Sequence, residues 1–131
     1  MSKILIVDDM PKNIQIAMNM LKSEGYHMFY AKDAQMALKL IKEKKFDLIL
    51  LDIMMPHMDG FEMCEILKSD KSTDSIPVIF LSGRDSGDDI QRAYEVGGID
   101  YIVKPFINLE LITKVAQHIE LSRLRKEHYG V

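Results

Sequence analysis

A chain of 131 residues has room for one domain of ordinary size with a proper hydrophobic core, and not for a second folded unit. With 47% apolar and 28% charged residues, four Pro and seven Gly, the composition is that of a globular protein and excludes disordered and fibrous classes. A net charge of -3 without a long basic run gives no electrostatic ground for binding nucleic acid or an anionic membrane, and no segment has the apolar length of a membrane span.

Met1-Ser2-Lys3 leads at once into the apolar run Ile4 to Val7, which predicts a first strand, no leader peptide ahead of the fold, and a cytoplasmic protein. Pro11 stands where a first helical turn tolerates it; Ile14, Ala17, Met18 and Leu21 recur at helical spacing, and Gly25 fits a left-handed ending. His27 to Ala31, mixed in polarity, predicts a strand at a sheet edge. Asp33 caps a second helix carrying Ala34, Ala37, Leu38 and Ile41, whose solvated end is Lys42-Glu43-Lys44-Lys45, with positive charge complementing the helix dipole.

Leu48 to Leu51 is the next apolar run. Asp59 with Glu62 three positions on matches a capping box opening a third helix. The lone cysteine, Cys64, lies in that helix's apolar stretch and reads as a small buried hydrophobe; the ten methionines read as core filler. Lys71 to Ser75 forms a polar loop, and Pro77 marks the entrance to the run Val78 to Leu81. Ile90, Ala93 and Tyr94 predict a fourth helix closed by Gly97-Gly98. The last run, Ile99 to Val103, is interrupted by Asp100. Asn108 then fits as the cap of a fifth helix bearing Ile112, Val115, Ala116 and Ile119.

Continuous rather than alternating apolar runs suit strands covered on both faces. Strand and helix alternating five times predict an α/β fold with right-handed crossovers, a doubly wound parallel sheet flanked by helices. In such sheets a ligand site lies at the carboxyl ends of the strands. The residues found there are Asp8 and Asp9 after the first run, Asp52 after the third, Ser82 after the fourth, and Lys104 followed by Pro105 after the fifth.

Carboxylates that close repel one another and raise one another's pKa unless a cation neutralises them. Hard oxygen ligands with open positions suit Mg2+, and Lys104 adds a point charge able to pair with a carboxylate or with a phosphoryl oxygen. Together these groups predict phosphoryl transfer onto a carboxylate, with Asp52 as nucleophile, Asp8 and Asp9 as metal clamp, and Ser82 as a donor to the phosphoryl oxygen. Taken singly, Asp8-Asp9 reads as a helix cap, Ser82 as a loop hydroxyl, Lys104 as a turn lysine and Tyr101 as packing; their shared position at the strand ends favours the site. His27, His57 and His118 read as solvent or rim residues, and no Cys/His spacing points to zinc.

Val7-Asp8-Asp9, the stretch from Leu50-Leu51-Asp52 to Met58-Asp59-Gly60, Leu81-Ser82-Gly83 and Tyr101-Ile102-Val103-Lys104-Pro105-Phe106 together resemble the receiver domain of bacterial two-component response regulators, of the chemotaxis-regulator kind. The likeness covers about residues 3 to 120. It implies a flavodoxin-like sheet of order 2-1-3-4-5, built as (βα)5. It further implies Asp52 as phosphoacceptor from a histidine-kinase phosphohistidine or a phosphotransfer protein. Mg2+ would be held by Asp9, Asp52 and the Met54 backbone carbonyl, with Asp8 acting through water. Ser82 would move toward the phosphoryl group and Tyr101 would swing inward behind it, changing the surface of residues 85 to 120. Phosphorylation is expected to favour a homodimer through that face. Lys104-Pro105 would be a cis peptide, Gly83 would leave room for the donor, and Met54 and Arg84 would tune the phosphoryl lifetime. Gly97-Gly98-Ile99-Asp100 departs from the family's commoner small-residue spelling.

Two other functions compete with this reading. Aspartate-nucleophile phosphatases of the haloacid-dehalogenase type resemble a pattern with a second Asp two positions after the nucleophile; here Met54 stands there and cannot donate a proton. A receiver-like module that only binds partners usually lacks part of the site, whereas this chain carries the full set. Regulation rather than enzymatic turnover is therefore the expectation. The receiver domain is placed at 1-120, with 121-131 as a helical extension or the start of a linker to an output domain, since Leu121 and Leu124 prolong an apolar stripe. Asp8-Asp9-Met10-Pro11-Lys12-Asn13 resembles receivers joined to hybrid kinases or cyclic-dinucleotide enzymes.

Overall fold

Three of the apolar runs form the interior of a parallel sheet, where each strand is hydrogen-bonded on both edges and covered on both faces. In the computed structural model, which describes residues 1–83 and 86–129, the strands are β1 (Lys3–Val7), β2 (His27–Ala31), β3 (Leu48–Asp52), β4 (Val78–Ser82) and β5 (Asp100–Val103). They stand in the order β2-β1-β3-β4-β5, all parallel, the flavodoxin-like arrangement. β2, whose sequence is the most mixed, lies on an edge as its polarity predicts. The helices are α1 (Pro11–Leu21), α2 (Ala34–Glu43), α3 (Gly60–Lys68), α4 (Gly87–Glu95) and α5 (Asn108–Tyr129).

Alternation within each strand divides the core into two layers. Leu5, Val7, Ile49, Leu51, Val78 and Phe80 face one side and pack under α2, α3 and α4, against Ala37, Phe61, Cys64 and Ala93. Ile4, Ile6, Leu48, Leu50, Ile79 and Leu81 face the other and pack under α1 and α5, against Ile14, Ala17, Leu111 and Val115. Each large side chain buried in this way contributes about 1.5–3 kcal/mol relative to exposure. Cys64 is buried as expected, and desolvation pushes its thiol pKa up to about 11, which leaves it unreactive.

The helix starts follow the capping residues. Asp33 accepts a hydrogen bond from the Met36 amide at 2.7 Å. At α3, Asp59 accepts from the Glu62 amide at 2.9 Å while Glu62 accepts from the Asp59 amide at 3.2 Å, the reciprocal box expected. Two ends differ from expectation. α1 stops at Leu21 and tightens into a 3-10 turn, Lys22–Glu24, before Gly25 closes it at φ 82. Asn108 is the first residue of α5 rather than its cap, because the Ile107 carbonyl accepts the Leu111 amide.

α5 runs without a break through residue 120, and Lys126 Nζ ties its far end to Asp47 Oδ1 at 3.0 Å. Among the described residues no helix is long and apolar enough to cross a membrane.

Candidate functional site

Parallel strands paired in register bring their last residues to one edge. Asp52 and Ser82 are the final residues of β3 and β4, and Asp8 and Lys104 directly follow β1 and β5. Asp8, Asp52 and Ser82 are the polar residues buried among the described ones, at 1%, 4% and 1% exposure. Polar groups so placed persist only with partners, and among the described residues no buried side-chain polar atom lacks one.

Lys104 supplies much of that partnership. Its Nζ donates to Asp8 Oδ2 at 2.7 Å and to Asp52 Oδ1 at 3.0 Å. Asp8 Oδ1 in turn accepts from the Met10 amide at 2.9 Å, which fixes the turn into α1. Carboxylate oxygens of Asp8, Asp9 and Asp52 all come within 4.8 Å of one another. Burial, followed by the Asp8 charge, pushes the Asp52 pKa up to about 6, against the opposing pull of Lys104. Burial works against the Lys104 ammonium, yet its bonds to Asp8 and Asp52 outweigh that and raise its pKa.

Three carboxylates facing one ammonium leave the cluster short of positive charge. The donor set is all oxygen and compact, which fits a hard divalent cation.

The β3–α3 loop completes the rim. Gly60 is packed so tightly beneath it that a Cβ would collide with the Asp52 carbonyl oxygen, and the Gly60 amide donates to the Ile53 carbonyl at 2.8 Å. Met54 holds the start of this loop with its side chain largely exposed. At Gly83, beside Ser82, a Cβ would meet nothing within 4 Å among the described residues. Lys104-Pro105 is a cis peptide, as the resemblance implies. The Lys104 amide donates to the Ser82 carbonyl at 2.6 Å, which joins the β4 and β5 ends.

Tyr101 lies behind the site on β5. It is turned inward at 6% exposure, in the layer that contains Phe80 and Ala93, where α4 covers the face of β5 to which it points. Arg84 lies outside the described residues, as does Asp85 at the start of the expected switch surface.

The sequence reading missed a second polar cluster. His118, expected at the solvent or rim, is largely buried, with Nε2 2.9 Å from Asp100 Oδ2. Lys114 Nζ reaches Asp100 Oδ1 at 3.1 Å and donates to the Tyr101 carbonyl at 3.0 Å. These contacts lower the Asp100 pKa even though burial, the largest single influence, raises it. The available signal was an acid interrupting an apolar run, opposite two basic residues four apart on one helix face. His57 was likewise unforeseen as a left-handed residue, at φ 70 in the rim loop.

The family model for the response regulator receiver domain matches residues 4–116. A probable cyclic di-GMP phosphodiesterase of Vibrio cholerae is 38% identical over 120 residues, which are 92% of this chain and 27% of that protein. The heme response regulator HssR of Staphylococcus aureus is 39% identical over 115 residues, 88% of this chain and 50% of HssR. The solved receiver domain of Francisella response regulator 1452 is 33% identical with a TM-score of 0.86, covering 93% of this chain and 99% of that one. The chain thus spans between about a quarter and a half of these curated relatives.

Proposed function

The chain belongs to the response regulator receiver domain family, and from that premise we propose that Asp52 takes a phosphoryl group from a histidine kinase or phosphotransfer protein. The observation that carries this reading is the meeting of Asp8, Asp9, Asp52 and Lys104 at one sheet edge, with the nucleophile held by the same ammonium that a phosphoryl oxygen would need.

In the proposed step an Asp52 carboxylate oxygen attacks the phosphorus of a phosphohistidine. The P–N bond breaks, and its electron pair leaves on the imidazole nitrogen, which takes up a proton. Mg2+, held by Asp9, Asp52 and the Met54 carbonyl with Asp8 acting through water, would neutralise charge on the transferring oxygens. Lys104 keeps its ammonium beside the reacting carboxylate and pairs with a phosphoryl oxygen once the acyl phosphate has formed. Ser82 donates its hydroxyl to another. The mixed anhydride is energetic and hydrolyses, so the state is transient.

Ser82 and Tyr101 would link that chemistry to the surface of residues 85 to 120, which we read as the homodimer face. Met54 and Arg84 would set how long the phosphoryl group survives. The protein is placed in the cytoplasm with its kinase. The relatives carry matching sequence as part of longer proteins, which supports an output domain beyond α5 and a boundary near residue 120.

Acetyl phosphate with Mg2+ should add one phosphoryl group, read by intact mass spectrometry, and Asp52→Asn should abolish the addition. An unchanged wild-type mass under conditions that label a control receiver would overturn the reading.

A further inference from the structure

At the end of the sheet away from Asp52, α3, the loop before β4 and α5 enclose a second cleft of about 330 Å3. β4 separates the two sites by its five residues, about 17 Å at ~3.3 Å each. Lys68, Arg125, Ser75 and Ser122 line the cleft with polar groups, and Pro77, Ile99 and Leu121 with apolar ones. A volume near 300 Å3 with apolar lining and a few polar groups is the usual character of a small-ligand site.

The two cations differ in how they are held. Lys68 is preorganised: its Nζ donates to the carbonyls of Asp74 at 3.0 Å and Ile76 at 2.6 Å. Its stem lies so close to Gly97 that a Cβ there would stand 2.7 Å from Lys68 Cγ. Two of the three ammonium protons are thereby used and one remains. Arg125 has no hydrogen bond or ion pair among the described residues, so its five donors are available. Burial lowers the Lys68 pKa; Cys64 and Asp74 oppose that shift, and the nearby Arg125 charge adds a smaller push in the same direction as burial.

The surrounding charges leave the cleft positive. Asp74 is the acidic group of the lining, and His118 also lines it but is committed to Asp100. Two cations and two hydroxyls around one opening match a dianion with several acceptor oxygens better than a carboxylate. Leu121 is exposed on α5 and offers apolar surface beside them.

We propose that this cleft binds a small phosphate monoester with an apolar body, its phosphate between Arg125 and the remaining Lys68 N–H and its body on Pro77, Ile99 and Leu121. The site is independent of Asp52 and lies at the opposite strand ends, so its ligand is not the phosphodonor.

The test is an amide NMR titration of the full 131-residue chain with phenyl phosphate in Mg2+-free buffer. Saturable shifts are expected at Ser75, Gly97, Ser122 and Arg125, with weaker binding of benzoate and of inorganic phosphate. Arg125→Gln and Leu121→Glu, both at exposed positions, should each weaken binding about tenfold, the loss expected for one strong contact. Lys68 is left intact because it also clamps the loop before β4. Shifts that do not saturate, that centre on the Asp8 and Asp52 loops, or that saturate equally in both variants would overturn the proposal.

Discussion

Lys104 Nζ donates to Asp52 Oδ1 at 3.0 Å, joining positions 52 residues apart in sequence, while the same ammonium binds Asp8 at 2.7 Å. One cation therefore holds two buried acids, and the site's resting charge balance depends on it. Removing either kind of partner has consequences opposite in sign, and this asymmetry yields the first two predictions.

Lys104→Met leaves Asp8 and Asp52 buried without their ammonium. Breaking a buried pair by removing one partner costs about 3–5 kcal/mol. Urea melts should show a loss of that order at neutral pH. The loss should shrink in acid as the Asp52 carboxyl takes up a proton, and it should be partly offset by millimolar Mg2+. A variant as stable as the parent at neutral pH would mean that Lys104 does not balance the cluster.

Asp52→Asn should stabilise the metal-free protein. The Asp52 carboxyl titrates at about 6 when folded and near 3.9 when unfolded. A raised folded pKa contributes stability that is fully present below about pH 4 and is lost as pH rises through about 6. Above that, the ionised group costs on the order of 3 kcal/mol relative to a neutral one. Thermal melts in chelator should thus rank Asp52→Asn above wild type at pH 7.5, with the gap closing toward pH 4. Mg2+ should raise the wild-type Tm and leave the variant nearly unmoved. A gap that widened in acid would show that the Asp52 pKa is shifted the other way.

Gly60→Ala tests the loop beneath the nucleophile. A Cβ there collides with the Asp52 backbone carbonyl, and neither α3 nor β3 can yield freely. Overpacking of this kind costs about 1–3 kcal/mol, and the displacement falls on the nucleophile itself. Slower labelling by acetyl phosphate together with a lower urea midpoint is expected. Normal labelling in a destabilised variant would separate the loop from the chemistry.

Much of this was legible in sequence because the information was local and periodic. Runs such as Leu48 to Leu51 can only be covered on both faces, and Asp33, Asp59 and Gly25 mark element ends by their own hydrogen-bonding or backbone chemistry. The meeting of Asp8, Asp9, Asp52 and Lys104 followed from parallel topology, which gathers strand ends whatever the loops do. What escaped was set by packing between distant elements. His118 looked like a surface residue on α5 until β5 brought Asp100 against it. Tyr101 could not be placed inward from its own strand, because α4 provides the cover. The Gly60 approach to Asp52 is likewise a matter of how α3 seats on the sheet.

Gly98 carries the last prediction, and its packing accounts for the second glycine of Gly97-Gly98. A Cβ at Gly98 would stand 2.6 Å from two ring carbons of Phe80 and 2.8 Å from the Ala93 carbonyl oxygen. Phe80 is fully buried, with the tilted Phe61 ring 5.5 Å away between centroids, so its ring has no room to retreat. The missing methyl at Gly98 is the space that the Phe80 ring occupies. Gly98→Ala alone should cost about 1–3 kcal/mol by overpacking, and Phe80→Leu alone should cost a comparable amount through the cavity it leaves. Combined, the smaller side chain makes room for the new methyl. The double variant should then be more stable than the sum of the two losses by about 1 kcal/mol or more, a coupling typical of residues in contact. Strictly additive urea midpoints would show that the Ala93 carbonyl, not the Phe80 ring, excludes a side chain at Gly98.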